Sequence, residues 1–249
     1  MKKVPDYIKY HIICREDNSR EDALYLSKII KKIGKLSGSN YSSILEVACG
    51  NGRIHPFLRK MGFSVFGIDN SKELIEKVRK KYPKYSRNYF LSDMRSFDLN
   101  KRFDIVLSWF TSFGYFEDKT NARILKVMRR HLKKGGLLII EIPNRDRKVK
   151  SMTKFLVRNY GNIVEKMFSK TVKRGGQTFW IFKEVFYSKD GKELKMIDSF
   201  TRRIRIYNLD EIKALLNDAG LEFVRAFGTG TFKNVRKNSR RMLIVVKKP

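Results

Sequence analysis

Three short segments carry side chains whose types and order suit the binding of a nucleoside. Glu46-Val47-Ala48-Cys49-Gly50-Asn51-Gly52-Arg53 joins an acid to a turn of small residues. Small residues let the backbone approach a bound molecule closely and take positive φ. Asp69, in GIDNS, follows at the distance where a carboxylate meets a ribose, with Asn70 beside it. A carboxylate is acceptor-only, so both hydroxyls of a vicinal diol can donate to it. Asp93 and Met94, in SDMR, offer an acceptor for an exocyclic amine and an apolar surface for its ring. Each segment also has a plainer reading: an ordinary tight loop, a helix cap at Asp69-Asn70-Ser71, and a loop acid beside Arg95. Their succession at three strand ends favours the nucleoside. A dinucleotide fingerprint would need a third glycine where His55 stands, which disfavours a nicotinamide dehydrogenase.

The elements that must position these segments follow from hydrophobic spacing. Ala23, Leu24, Leu26, Ile29, Ile30, Ile33 and Leu36 recur at helical intervals, ending in the Gly/Ser/Asn-rich stretch Ser37–Asn40. Short apolar strands then alternate with helices. Strands are expected at Ile44–Val47, Ser64–Ile68, Tyr89–Leu91, Phe103–Ser108 and Leu137–Ile142. Helices are expected over about Ile54–Met61, from a cap at Asn70 or Ser71 to Lys81, and over Asn121–Leu132 with a stop at Gly135-Gly136. This alternation predicts an α/β fold: a Rossmann-like doubly wound sheet, mostly parallel, with ligands beyond the carboxyl ends of its strands. From 145 to 207 the pattern changes. TFWIFKEVFY (178–187) and the β-branched run 195–207, joined by Lys189-Asp190-Gly191, predict an inserted antiparallel β-sheet. Asn208 and Glu211 form a capping-box start for a helix to Ala219. Glu222–Phe227 and Met242–Val246 then pair antiparallel, making the last strand antiparallel to its sheet. The expected organisation is a helical segment 1–40, a core of 41–144 with 208–249, and an insertion 145–207.

Composition narrows the class. Over 249 residues, 42% hydrophobic and 12% aromatic content excludes a disordered or low-complexity chain. No apolar run is long enough for a bilayer, and MKKVPDYIKYHIICRED is broken by charges before a signal-peptide core. Cys14 and Cys49 give no disulfide framework, so a cytoplasmic location without membrane contact is expected. His11, His55 and His131 lack ligand spacing, so no metal is expected. With 55 Lys+Arg against 25 Asp+Glu, the net charge is +30. Such an excess favours polyanions such as RNA, and also occurs on Lys-rich surfaces with no nucleic-acid role.

Glu46-Val-Ala-Cys-Gly-Asn-Gly52, Asp69 in GIDNS, Asp93 in SDMR and the LKKGG element at 132–136 resemble the motifs of the class I S-adenosylmethionine-dependent methyltransferases. Cys49–Arg53, Thr111–Phe116 and Pro143–Asp146 are similar to a bacterial and archaeal subgroup with C-G-x-G-R, T-S-F-G-Y-F and P-N-R-D signatures. The resemblance implies S-adenosylmethionine as cofactor, S-adenosylhomocysteine as product, and cofactor roles for Glu46, Ala48, Gly50, Gly52, Asp69 and Asp93. Cys49, Arg53, Asn70, Met94 and Ser108 lie on the same turns and strand ends and join the expected cofactor set.

Because a sulfonium is already an activated leaving group, such a reaction needs orientation more than a triad. The acceptor pocket is expected past the fourth strand, along Ser108–Phe116, with Phe110, Phe113 and Tyr115 as an apolar wall. Arg202-Arg203-Ile204-Arg205-Ile206-Tyr207 adds a cationic strand face from the insertion, with Arg205 and Tyr207 as pocket candidates. Tyr115 and Tyr207 are the candidate general bases. A small-molecule acceptor is favoured; RNA methylation, or a silent RNA- or protein-binding module on the same scaffold, is the alternative.

Overall fold

A computed structural model describes residues 18–150, 155–191 and 193–249; the expectations for His11 and Cys14 lie outside them. A helix α1 (Ser19–Ser37) precedes β1 (Ser43–Val47), α2 (His55–Lys60), β2 (Ser64–Asp69), α3 (Lys72–Lys81) and β3 (Tyr89–Leu91). Next come β4 (Phe103–Ser108), α4 (Asp118–Arg130), β5 (Leu132–Pro143) and α5 (Arg145–Lys150). Four long strands follow, β6 (Phe155–Tyr160), β7 (Ile163–Arg174), β8 (Gln177–Asp190) and β9 (Glu193–Arg205). The chain closes with α6 (Leu209–Asp218), β10 (Glu222–Gly228) and β11 (Arg241–Lys247).

The core sheet has the order β10-β11-β5-β4-β1-β2-β3. Pairing is parallel from β5 to β3, and β11 runs antiparallel to both its neighbours. Successive β1 residues serve opposite layers. Ile44 packs with Leu26, Ile29 and Ile30 of α1, and Leu45 with Leu125 and Met128 of α4 and Leu216 of α6. Both faces are therefore covered, as a parallel sheet requires. No helix among the described residues is long and apolar enough to cross a membrane.

The expected helix stop at Gly135-Gly136 is corrected. Helix α4 ends at Arg130, and β5 starts at Leu132. The stop is His131, whose Nδ1 bonds the Val127 carbonyl (2.9 Å) while Nε2 accepts the Leu99 N–H (3.2 Å). The glycines serve a bulge instead. Phe103 pairs with Leu132 and Ile105 with Leu137, so the residues between are looped out. A Cβ on Gly136 would stand 3.0 Å from the Asp104 carbonyl, which only glycine avoids.

Strands β6 to β9 form an antiparallel meander. It leaves the core at Asn144 and returns at Tyr207, where the two residues form a bridge and Arg145 N–H donates to Tyr207 O (2.9 Å). The whole excursion is tied off at one point, beside the carboxyl end of β5. Asn208 accepts from Glu211 N–H (2.8 Å) and Glu211 returns to Asn208 N–H, the expected capping box.

The start of β1 is latched to β4 by Asp104. One of its oxygens accepts from Ser43 N–H (2.8 Å), Ser43 Oγ (2.7 Å) and Ser42 N–H (3.1 Å), and the other from Lys133 Nζ (2.8 Å). Burial alone would raise its pKa, but the Lys133 ammonium and the serine donors outweigh it and hold the carboxyl well below the usual range. A depressed carboxylate contributes stability above its unfolded pKa and loses it as pH falls toward the folded one. Asp104→Asn is expected to cost about 1–3 kcal/mol at pH 7. In urea melts its deficit should shrink as pH is lowered from 5 toward 2; a deficit independent of pH would contradict the latch.

Candidate functional site

The turn after β1 is built from left-handed residues. Ala48, Gly50 and Gly52 have φ of 59°, 56° and 63°. Ala48 holds this conformation at a cost of about 1–2 kcal/mol, which the bonds around it must offset. Cys49 N–H donates to Ile68 O (2.9 Å), Gly52 N–H to Cys49 O (2.9 Å), and Gly50 N–H to Asp69 Oδ2 (2.9 Å). The second Asp69 oxygen accepts from Ser71 N–H (2.9 Å), and Ser71 Oγ caps α3 by accepting from Leu74 N–H (3.2 Å). Ser71 is therefore the cap, and Asp69 braces the turn. Burial pushes the Asp69 carboxyl above its ordinary value, against the two N–H donors. Each carboxylate oxygen has two acceptor sites, so capacity remains on the cavity side. Burial likewise pushes the Cys49 thiol up, with Asp69 and Glu46 adding to it, so this thiol is inert.

Glu46 is buried and bonds His55 Nε2 through Oε2 (2.7 Å), while His55 Nδ1 meets Tyr89 OH (3.1 Å) and Arg59 donates to the same hydroxyl (3.0 Å). Gly67 is required by this packing, since a Cβ there would stand 2.6 Å from Cys49 Sγ and 3.0 Å from His55 Cε1. Asp93 is engaged by Arg95 through both oxygens (2.9 and 2.5 Å), and this guanidinium holds its carboxyl below the usual range.

These residues open on one cavity of about 1060 Å³. The strand tips contribute Glu46, Ala48, Cys49, Gly50, Arg53, Asp69, Asn70, Asp93 and Met94. The loop after β4 contributes Trp109, Phe110, Thr111, Ser112, Tyr115 and Phe116; the four-stranded sheet contributes Trp180, Phe182, Glu184 and Arg202 among others. A Cβ at Gly50 would meet nothing closer than Leu74 Cδ1 at 4.0 Å, so the space beside the turn is open. Phe110 and Thr111 both take positive φ (59° and 66°), a costly conformation for non-glycine residues in a binding loop. Phe110 has two guanidinium groups near its ring, Arg53 and Arg241 each 5.2 Å from the ring centre. Arg53 is in turn held by Asp22 of α1 (2.6 Å), which also accepts from Trp109 Nε1 (3.4 Å).

Several expected site residues lie elsewhere. Tyr207 is 1% exposed, stacks on Phe113 and donates to Asp118 (2.7 Å) while accepting from Asn121 (2.9 Å). Burial, then Asp118, raise its pKa far above the ordinary phenol value, so it is no base. Phe113 is core, also 1% exposed. Arg205 is buried, with its guanidinium turned away from the cavity onto Asp118 (3.0 Å) and Glu211 (3.5 Å). Its backbone N–H donates to Gly114 O (2.7 Å), pinning the β4 loop to the inserted sheet. Ser108 is wholly buried, and Gly52 stands behind the turn, where a Cβ would meet His55 and Val78 at 3.1 Å. Neither lines the cavity. The expectations missed Glu184 and gave Arg202 only as part of a cationic strand face, although Trp180, Phe182 and Glu184 at every second position of TFWIFKEVFY mark an acid on an aromatic face. They also missed the His55 partnership with Glu46, which no local pattern marks.

Residues 44–136 match the family model described as a methyltransferase domain. The chain is 32% identical over 103 residues to dTDP-3-amino-3,4,6-trideoxy-alpha-D-glucopyranose N,N-dimethyltransferase of Streptomyces venezuelae, covering 40% of this chain and 42% of the relative. It is 27% identical over 206 residues, 78% of each chain, to dTDP-4-amino-2,3,4,6-tetradeoxy-D-glucose N,N-dimethyltransferase of Saccharopolyspora spinosa. The chain thus spans less than half of the first relative and about four-fifths of the second. Its fold is similar to that of an S-adenosylmethionine-dependent methyltransferase from Clostridium acetobutylicum, with a TM-score of 0.77 at 18% identity over 91% of this chain and 92% of that one. Residues 44–136 are therefore similar to a methyltransferase domain, set in a Rossmann-like sheet.

Proposed function

We propose that the chain transfers a methyl group from S-adenosylmethionine to the amino group of a small acceptor, with an amino sugar as the favoured class. The observation that carries this is the one cavity shared by the acids at three strand tips and a set of aromatic side chains. Amino-sugar N,N-dimethyltransferases among the relatives support the acceptor class. The core of 41–144 with 208–249 is assigned to the cofactor and 145–207 to the acceptor wall. The C-G-x-G-R, T-S-F-G-Y-F and P-N-R-D segments are taken as signatures of the subgroup. The sparse cysteines support a cytoplasmic setting.

In this reading Asp69 would hold the ribose hydroxyls, Asp93 and Met94 the adenine, and Glu46 with the Ala48–Gly50 backbone the amino-acid end. When bound, the cofactor supplies a methyl group on a cationic sulfur whose departure as a neutral thioether needs no acid. The protein's task is to exclude water and orient the acceptor nitrogen. Tyr115, Phe116, Trp180 and Phe182 provide an apolar, π-rich wall that suits a cationic centre. The net charge of +30 favours a second reading in which RNA is the acceptor.

Titration calorimetry with S-adenosylmethionine is expected to show binding that weakens about 10–100-fold in Asp69→Ala, from loss of hydrogen bonds to a charged group. Label from the radiomethylated cofactor should enter amino sugars; label only in an RNA pool would replace this reading with the second. Tyr207→Phe is expected to lower stability by about 1–2 kcal/mol in urea melts, because Asp118 and Asn121 each lose a buried partner. The same variant should keep cofactor affinity and methyl transfer. A fall of about 100-fold in turnover would restore Tyr207 as a base.

A further inference from the structure

Glu184 is an acid in an unusual place. It is 1% exposed on β8, on the face that also presents Trp180 and Phe182 to the cavity. Across the sheet, Met167 of β7 stands directly opposite Glu184, Arg202 of β9 opposite Phe182, and Ile204 opposite Trp180. Arg202 donates to Glu184 and lies 4.7 Å over the Phe182 ring. Further along the same sheet, Glu165 of β7 is held by Arg158 of β6 (3.1 Å) and Tyr160 (3.3 Å). Apolar side chains of similar size would pack this face without any desolvation cost, so a buried acid aimed at a cavity asks for a reason.

The other cavity carboxylates sit at the strand tips, Glu46 bonded to His55, Asp69 to two backbone N–H groups and Asp93 to Arg95, as Glu184 is to Arg202. Among the described cavity-lining residues, Glu184 is the carboxylate of the acceptor half. An amine reaches the site mainly as an ammonium and must lose a proton before its lone pair can attack.

We propose that Glu184, with the rings of Trp180 and Phe182, forms the subsite that binds the acceptor's ammonium group and takes its proton. This rests on the amine reading above. The ammonium meets the carboxylate next to the Phe182 and Trp180 rings, which lie beside it along the same strand face, with Arg202 also over the Phe182 ring. An N–H bond breaks, an O–H bond forms on the carboxylate, and nitrogen keeps the electron pair. The neutral amine and neutral acid need no hydration, which favours the transfer among apolar neighbours.

The test is a titration of the full chain with cyclohexylammonium, read by tryptophan fluorescence and calorimetry, with and without saturating S-adenosylhomocysteine. Wild type should bind cyclohexylammonium better than cyclohexanol. Glu184→Gln should weaken the ammonium about tenfold, leave cyclohexanol unchanged and keep S-adenosylhomocysteine affinity within about twofold. Phe182→Leu, which keeps the carboxylate, should weaken the ammonium about two- to tenfold and serves if Glu184→Gln does not fold. Equal binding of the two probes by wild type, or ammonium affinity unmoved by either folded variant, overturns the subsite. Failure of S-adenosylhomocysteine to bind wild type would instead strike the cofactor reading, while the titration without it still reads the subsite.

Discussion

The site depends on one carboxylate with two backbone partners. Asp69 leaves the tip of β2 and accepts Gly50 N–H from the β1 turn with one oxygen and Ser71 N–H from the start of α3 with the other. Two strand ends and a helix start are thereby fixed against each other within a single side chain's reach. The turn cannot relax into an ordinary loop without breaking the first bond, and α3 cannot shift without breaking the second. This is why Ala48 can be held in a conformation that glycine would take without strain. The same residue thus shapes the cavity and presents its remaining acceptor capacity to it.

The aromatic half of the cavity is fixed by a different network. Tyr207 and Arg205 converge on Asp118, at the start of α4, from the point where the inserted sheet returns to the core. Arg205 N–H also pins the loop that carries Phe110 to Phe116, through the Gly114 carbonyl. A Cβ at Gly114 would stand 2.7 Å from Arg205 O, so the loop and the strand touch backbone to backbone. The aromatic wall is therefore positioned by residues that never reach it. Tyr207 and Arg205 serve the cavity wall as its supports.

That distinction explains what the sequence made legible. The β1 turn, the Ser71 cap, the capping box at Asn208 and the alternating elements are marked by residue types within a few positions of one another, and local pattern reveals them. Arg202 to Tyr207 shows the limit. Its period of two was plain, but period alone does not say which phase faces the cavity. Arg202 and Ile204 face inward, whereas Arg205 and Tyr207 meet the acids of α4 and α6. The phase is set by Asp118, which is far away along the chain, together with Glu211 in the helix that follows. Gly135-Gly136 misled for a similar reason. A helix stop and a bulge both call for glycine, and the close approach of Asp104 O decides between them.

The same long-range pairing bears on the net charge. Of the six arginines around the cavity, Arg53, Arg95, Arg158, Arg202 and Arg241 pair with Asp22, Asp93, Glu165, Glu184 and Glu141 respectively. Arg240 is the one without such a pair among the described residues. Among the described residues, the positive excess is therefore carried almost entirely outside the cavity. Charge spread over a solvated surface is screened within about a Debye length, near 8–10 Å at physiological salt. It can gather a polyanion or keep the protein soluble, but it exerts little selection on which atom meets the methyl group. Inside the cavity the field comes from paired dipoles against aromatic faces, an environment that selects by placement of a small polar head rather than by total charge. Acceptor choice and surface charge are on this basis separable properties of the molecule.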